Sequence, residues 1–321
     1  MTAAIDVSVI VAAWRATAFI EKAIASALAS TGVNVEVIVV DDASPDDTFA
    51  VLSRLAQADP RVITLRLSQN GGPSAARNRA IEVARGRFIA VLDADDAILP
   101  GRFAELVALA DAQNADIAVD NMKNVDESGA ELSDNPFLQS PEFSKGRTIC
   151  LVDWIRYNSP MTSGDKLGYL KPMIRRSKLT ETGIKYDPAL RNSEDYYLIA
   201  DLLAAKALMV YTPSLSYLYT RSSSSTSYRL KPEQTRAWLT AETQFAARHA
   251  AHLTPDEKAA RARRERTLRN VDRLVAVTDA LKSRKLLTTA KLLASDLRGA
   301  GFTIQTLAKV AAGKAIGRKL A

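Results

Sequence analysis

The stretch Phe88-Ile89-Ala90-Val91-Leu92-Asp93-Ala94-Asp95-Asp96 decides how this chain is read. Five apolar residues give a short buried strand, and three acids follow at its exit. Asp93 and Asp95 are two apart, so at a strand end both project to one side. Carboxylates in such a place are costly unless a cation neutralises them. Hard oxygen ligands suit Mg²⁺ or Mn²⁺. The competing reading is a solvated, helix-capping acidic turn.

Upstream, the same alternation repeats. Val7 to Val11, Val35 to Val40 and Val62 to Leu67 read as strands, while Phe19 to Leu28, Thr48 to Ala58 and Ser74 to Arg85 carry helical spacing. Strands separated by helices of this length imply a mostly parallel α/β sheet with right-handed crossovers. In such sheets ligands bind beyond the carboxyl ends of the strands, and the polar clusters of this chain fall there. Asp41-Asp42-Ala43-Ser44 follows the second strand, either as acceptors for a base or ribose or as a helix cap. Asn70-Gly71-Gly72-Pro73-Ser74-Ala75-Ala76-Arg77-Asn78 is either a close backbone approach to an anion, with Arg77 on a phosphate or base, or a plain Gly-Pro turn. Glu194-Asp195-Tyr196-Tyr197 is either a general base beside a sugar-stacking surface or a solvated acidic helix start.

Downstream, residues 106 to 230 are less regular. They hold a polar loop from Asp126 to Arg147, a Pro- and Gly-rich aromatic stretch from Trp154 to Pro172, and a loop-like run from Ser222 to Ser225. From Pro232 onward the pattern is helical. Leu268, Val271, Leu274, Val275, Thr278 and Leu281 keep one face apolar, as do Leu286, Ala290, Leu293 and Leu297 in the next helix.

The chain has 321 residues, 47% hydrophobic and 25% charged, ordinary values for a globular protein and far from a disordered or collagen-like one. No apolar run approaches the roughly 18 residues that span a bilayer, and no basic region precedes the first apolar stretch as in a signal peptide. The single cysteine, Cys150, forms no intrachain disulfide and no thiolate zinc site by itself. The expected compartment is the cytoplasm. The net charge is +7, yet residues 1–254 sum to −3 and residues 255–321 to +10. The basic tail, from Arg261 to Lys285, is read as a dock for an anionic membrane surface, as an ordinary solvated helix face, or, least favoured, as a nucleic-acid contact.

Taken together in this order and spacing, the clusters resemble the family 2 glycosyltransferases, inverting enzymes with the GT-A fold. Val7 to Trp14 looks like that family's first strand. Asp41-Asp42-Ala43-Ser44 resembles its DDxS motif, Asn70 to Asn78 its NxGxxxARN motif, Asp93 to Asp96 its DxDD motif, and Glu194-Asp195 its ED motif. The likeness is strong over about 1–110 and extends to about 230. The basic tail resembles that of enzymes extending bacterial exopolysaccharide repeat units of the succinoglycan type.

The resemblance implies roles. Trp14 would contact uracil, Asp42 and the Ala12 backbone would hydrogen-bond it, and Arg77 and Asp93 would meet the nucleotide. Asp95 would ligate Mn²⁺ or Mg²⁺, and Asp195 would be the catalytic base. Glu194 would support acceptor or donor sugar contacts. Independently of the resemblance, Trp154, Tyr157, Tyr169, Tyr196 and Tyr197 read either as the lining of an acceptor groove or as core. Tyr219-Thr220-Arg221-Ser222 lacks the histidine that many relatives carry, so Arg221 would meet the diphosphate instead. His249 and His252, the only histidines, fall in the helical region and are expected to face solvent.

The implied reaction moves a sugar, with glucose the expected one, from a UDP-sugar to a saccharide acceptor, expected to be polyprenyl-diphosphate-linked. The implied division is a nucleotide-sugar half (1–105), an acceptor and catalytic half (106–231) and a basic helical extension (232–321). Two alternatives are a sugar-phosphate nucleotidyltransferase and a non-catalytic nucleotide-sugar-binding protein. The first normally carries a Gly-rich basic loop after the first strand, where this chain has Ala12-Ala13-Trp14-Arg15-Ala16.

Overall fold

The structure, a computed structural model, describes residues 4–160, 164–221, 230–294 and 301–308. Ser222 to Ser225, and Leu297 of the second apolar stripe, lie outside these residues. The chain forms two compact units, 1–158 with 163–225 and 159–162 with 226–321.

The first unit opens with β1 (Val7–Ala13), α1 (Ile20–Leu28), β2 (Val35–Asp41), α2 (Thr48–Ala58), β3 (Val62–Arg66), α3 (Pro73–Val83) and β4 (Phe88–Val91). These are the seven elements read from the sequence, in that order. β1 pairs in parallel with both β2 and β4, and β2 with β3. β1, β2 and β4 are buried on both faces, which is why they read as continuous apolar runs rather than alternating ones. The register sets Ala13 opposite Asp41 and Asp41 opposite Arg66. The carboxyl ends of these strands therefore lie level.

The irregular middle adds β5 (Ala97–Ile98), α4 (Arg102–Ala112), β6 (Ile117–Val125), β7 (Arg147–Ile149), α5 (Leu151–Tyr157), β8 (Met173–Arg175), α6 (Arg176–Thr182), α7 (Glu194–Ala204) and β9 (Met209–Thr220). The sheet order is β3-β2-β1-β4-β8-β6-β9-β5, with β7 on β9. β8 runs antiparallel to both β4 and β6, so the sheet is mixed on this side. The polar loop after β6 is tied down. Asn121 bonds both backbone groups of Leu138, the Tyr211 hydroxyl donates to the Phe143 carbonyl, and Leu138 and Phe143 are buried.

The second unit contains α8 (Pro232–His249), α9 (Pro255–Lys282) and α10 (Leu286–Ala294). Thr254 and Glu257 form a capping box that fixes the start of α9. The expected apolar face of α9 is narrower than its sequence pattern. Leu268, Val271, Val277 and Ala280 are buried, whereas Leu281 is exposed, and in α10 Leu286 and Leu287 face solvent. His249 packs against the Phe245 ring and is half-buried, so of the two histidines only His252 is exposed. Among the described residues no helix is long and apolar enough to cross a membrane.

A buried charge pins the start of the sheet. Glu36 on β2 accepts from the Ser8 hydroxyl at 2.6 Å, the Arg85 amide at 2.7 Å and the Arg85 guanidinium at 2.6 and 2.8 Å. Burial would push its carboxyl up, but the bonds from Ser8 and then Arg85 prevail and hold it below the usual range. A carboxylate depressed in the folded state stabilises above its unfolded value, near 4.5, and less as pH falls. Glu36→Gln is expected to lose about 1–3 kcal/mol at neutral pH by urea unfolding. The gap to wild type should narrow below about pH 4.5.

Candidate active site

The acids after β4 do not continue the strand. Pairing ends at Val91, and the Asp96 amide closes a turn onto the Asp93 carbonyl at 3.2 Å. Asp93 and Asp95 therefore owe their positions to this turn and not to strand alternation. Asp93 meets two cations, the Arg77 guanidinium at 2.9 Å and the Lys171 ammonium at 2.7 Å. Asp96 is buried and accepts from the Tyr217 hydroxyl at 2.7 Å and the Thr220 amide at 2.8 Å.

Arg77 is the hub. It leaves the first turns of α3, is 5% exposed, and reaches Glu194 at 2.6 Å, Asp195 at 3.3 Å and Asp93 at 2.9 Å. Its face stacks on the Tyr186 ring at 5.4 Å. The guanidinium thus meets three carboxylates rather than standing free for a phosphate. Its motif neighbours perform the same bridging. The Ser74 hydroxyl donates to the Leu190 carbonyl, and the Asn78 side chain bonds both backbone groups of Tyr186. Residues 74 to 78 thereby dock the segment from 186 to 195 against α3.

Asp195 sits in the first turn of α7, where the helix dipole favours a carboxylate. Three donors hold it: the Tyr186 hydroxyl at 3.1 Å, Arg77 at 3.3 Å and Lys171 at 3.5 Å. Burial, and then the charge of Asp195, push the Tyr186 phenol well up, so it stays protonated and donates. Ser193, before Glu194, has φ 61 in the left-handed region. Glycine is cheap there, and a serine costs about 1 kcal/mol.

The electrostatics separate the acids. For Asp93, burial is outweighed by Lys171 and then Arg77, which hold it at about 2. Burial, and then the charge of Asp93, push Asp95 up. Asp96 is pushed well up by burial and by Asp93 and Asp95. Glu194 is raised by burial and by Asp195. Asp95 has no cation within ion-pair distance among the described residues, and no group of three His, Cys, Asp or Glu side chains is gathered for a metal among them.

At the neighbouring strand ends, Trp14 stands 49% exposed with Arg15 over its ring, and Ala12 lies in β1. Asp42 is buried. Its carboxylate accepts from the Asn70 side chain at 2.8 Å and the amides of Gly71 and Gly72 at 2.7 and 2.8 Å. The glycine turn thus spends two amides on Asp42, and Gly72 takes φ 82 to do so. A carboxylate has about four acceptor sites, so one stays open to a ligand.

Other expected contacts lie elsewhere. Trp154 is fully buried and its indole donates to the Tyr196 carbonyl; Tyr196 and Tyr197 are core as well. The hydrophobic run that follows Glu194-Asp195 buries the whole of α7, and these rings are part of that core. Arg221 touches none of the acids and lies over the Tyr219 ring at 5.0 Å.

Lys171 and Tyr186 were not singled out from the sequence. The signal for Lys171 was present: one lysine inside Leu170-Lys171-Pro172-Met173-Ile174, where a buried ammonium demands a partner. Its backbone is gripped in turn. Arg102, buried against Asp120, donates to the Lys171 carbonyl. Replacing Lys171 with Met leaves Asp93 and Asp195 with Arg77 as their only cation. Urea unfolding is expected to register a loss of about 2–4 kcal/mol at neutral pH. Because Asp93 is depressed, its share is present above its ordinary 3.8 and fades toward about 2. The deficit should therefore shrink across that window.

The sequence pattern of glycosyl transferase family 2 matches residues 8–177. The succinoglycan biosynthesis protein ExoO of Rhizobium meliloti is 37% identical over 291 residues, 91% of this chain and 82% of that protein. Residues 1–349 of S. aureus TarS, solved in complex with UDP-GlcNAc, superpose with a TM-score of 0.61 at 17% identity, covering 92% of each chain. The mannosyltransferase PcManGT from Pyrobaculum calidifontis, solved with GDP-Man and Mn²⁺, gives 0.54 at 18% identity, covering 97% of this chain and 87% of its own.

Proposed function

The chain belongs to glycosyl transferase family 2 and has the GT-A fold, and on that premise we propose that it transfers a sugar with inversion from a UDP-sugar to a hydroxyl of a saccharide acceptor. Glucose is the sugar we favour, and a lipid-linked exopolysaccharide repeat unit the acceptor. ExoO, named for succinoglycan biosynthesis, supports that acceptor class, and TarS bound to UDP-GlcNAc supports a UDP donor. The observation that carries the reading is Asp195, held by Arg77, Lys171 and Tyr186 beside Asp93.

In this reading residues 1–105 take the nucleotide. The exposed Trp14 ring stacks on the base, and Asp42, the Ala12 backbone and Asp93 hydrogen-bond the nucleoside. Residues 106–231 take the acceptor. Asp195 accepts the proton of the acceptor hydroxyl; the oxygen attacks the anomeric carbon in line, and the bond to the diphosphate breaks. Glu194, anchored by Arg77, sets the position of Asp195 and the approach of the sugar. Asp95, raised by burial and without a cation, is suited to hold Mn²⁺ or Mg²⁺, with diphosphate oxygens and water as the remaining ligands. Such an ion, when bound, neutralises charge on the departing diphosphate.

The basic extension, 232–321, would meet the membrane that carries the acceptor, from the cytoplasmic side. Part of its charge is internal: Arg264 is buried beside Glu242 at 3.5 Å, and Arg261 pairs with Glu265 at 3.0 Å. Arg263 and Arg266 remain exposed on α9, and Lys282, Arg284 and Lys285 adjoin the exposed Leu286 and Leu287. Cations beside exposed leucines favour an anionic lipid surface.

UDP release from UDP-glucose with Mn²⁺ or Mg²⁺ tests the reaction, and binding without turnover would support the non-catalytic alternative. Asp195→Asn should lower transfer about 10²–10⁴-fold while UDP still binds; full transfer by the variant would overturn the base assignment. Vesicle sedimentation should show binding to anionic but not zwitterionic lipid, weakened by salt. Binding indifferent to both lipid charge and salt would remove the membrane contact.

A further inference from the structure

Three rings meet beyond the acids, on the β6 and β9 side of the sheet. Phe137, Tyr169 and Tyr219 lie with centroids 5.6, 6.1 and 6.2 Å apart. Tyr169 is 39% exposed, and the guanidinium of Arg221 covers Tyr219 at 5.0 Å and Phe137 at 5.9 Å. Phe137 also lines a cavity of about 470 Å³ with Gln139, Ser140, Gly164 and Asp165. That volume is within the range of small-molecule sites, about 300–1,000 Å³. The wall is built rather than loose. The Asp165 carboxylate accepts from the amides of Gln139 and Ser140 at 2.9 and 2.8 Å, and Gln139 is exposed.

The chain connects these rings directly to the acids. Tyr169 lies two residues before Lys171, whose ammonium bonds Asp93. Tyr219 precedes Thr220, whose amide donates to Asp96. In the sheet, β4 and its acids stand between β1, which ends one residue before Trp14, and β9, which carries Tyr219. The rings are thus on the far side of Asp93 from the exposed tryptophan.

We infer that Phe137, Tyr169, Tyr219 and Arg221, with Gln139 at the rim, form a saccharide subsite that holds a sugar of the acceptor. A pyranose has an apolar C–H face and a rim of hydroxyls. The exposed Tyr169 ring, backed by Phe137 and Tyr219, takes the first, and the Arg221 guanidinium that covers those two rings takes the second with the Gln139 carboxamide. A nucleotide would use the Trp14 side, so the rings are left for the other substrate. The inference rests on the transferase reading above for the word acceptor, but the sugar contact itself does not.

The test is saturation-transfer NMR on the full chain, with cellobiose, laminaribiose and gentiobiose as probes. Saturation should reach the ring protons of at least one disaccharide and weaken about three- to tenfold in Tyr169→Ala and Phe137→Ala. UDP binding, measured calorimetrically on the same samples, should not change. Should the ring variants fail to fold, Gln139→Ala, an exposed change, decides by the same weakening. No saturation of any probe by the wild type, or equal saturation in wild type and all folded variants, overturns the subsite. Failure of the wild type to bind UDP would instead count against the donor reading, since the sugar contact is read without it.

Discussion

One guanidinium buried among three carboxylates is the constraint on which the first unit depends. Arg77 comes from α3, Asp93 from the turn after β4, and Glu194 and Asp195 from α7. Each acid alone at that depth would be costly, and so would the cation. Together they lock three separated segments into one place, because removing any partner strands the others. With Lys171 included, two cations serve the three carboxylates of Asp93, Glu194 and Asp195.

This arrangement also explains why the glycine-rich motif is as long as it is. Asn70 and the two glycine amides hold Asp42, Ser74 and Asn78 hold residues 186 and 190, and Arg77 holds the acids. Within nine residues the chain joins the β2 edge to α7. Strand ends tied together this way are organised before any ligand arrives, which lowers the ordering cost of binding.

The sequence made the parallel half legible because its strands are buried on both faces and its helices keep a clear period. The acids were legible as a site because uncompensated charge after an apolar run is rare. What compensates them was not. Lys171 is 78 residues from Asp93 along the chain, and only the antiparallel β8 next to it, pairing with β4, brings it near. Trp154 and Tyr196 mislead for the opposite reason: an aromatic beside an acid looks like a sugar platform, but rings fill cores as readily as they line grooves. Phe137 and Tyr219, whose rings do meet, are separated by 82 residues, and Phe137 carries no motif. In the tail the charge count was legible, while the pairing of Arg264 with Glu242 inside the helix pair was not.

The grip of Arg102 on the Lys171 carbonyl has a consequence for how such a chain changes over time. The ammonium is delivered by a backbone fixed from behind, next to a proline, so it has little freedom to swing toward another partner. Its charge is shared by Asp93 and Asp195. Exchanging either acid alone leaves Lys171 with one partner in place of two, and exchanging the lysine leaves both acids with Arg77 as their only cation. Substitutions at positions 93, 171 and 195 are bound to one another, and a lineage that alters one inherits pressure on the other two.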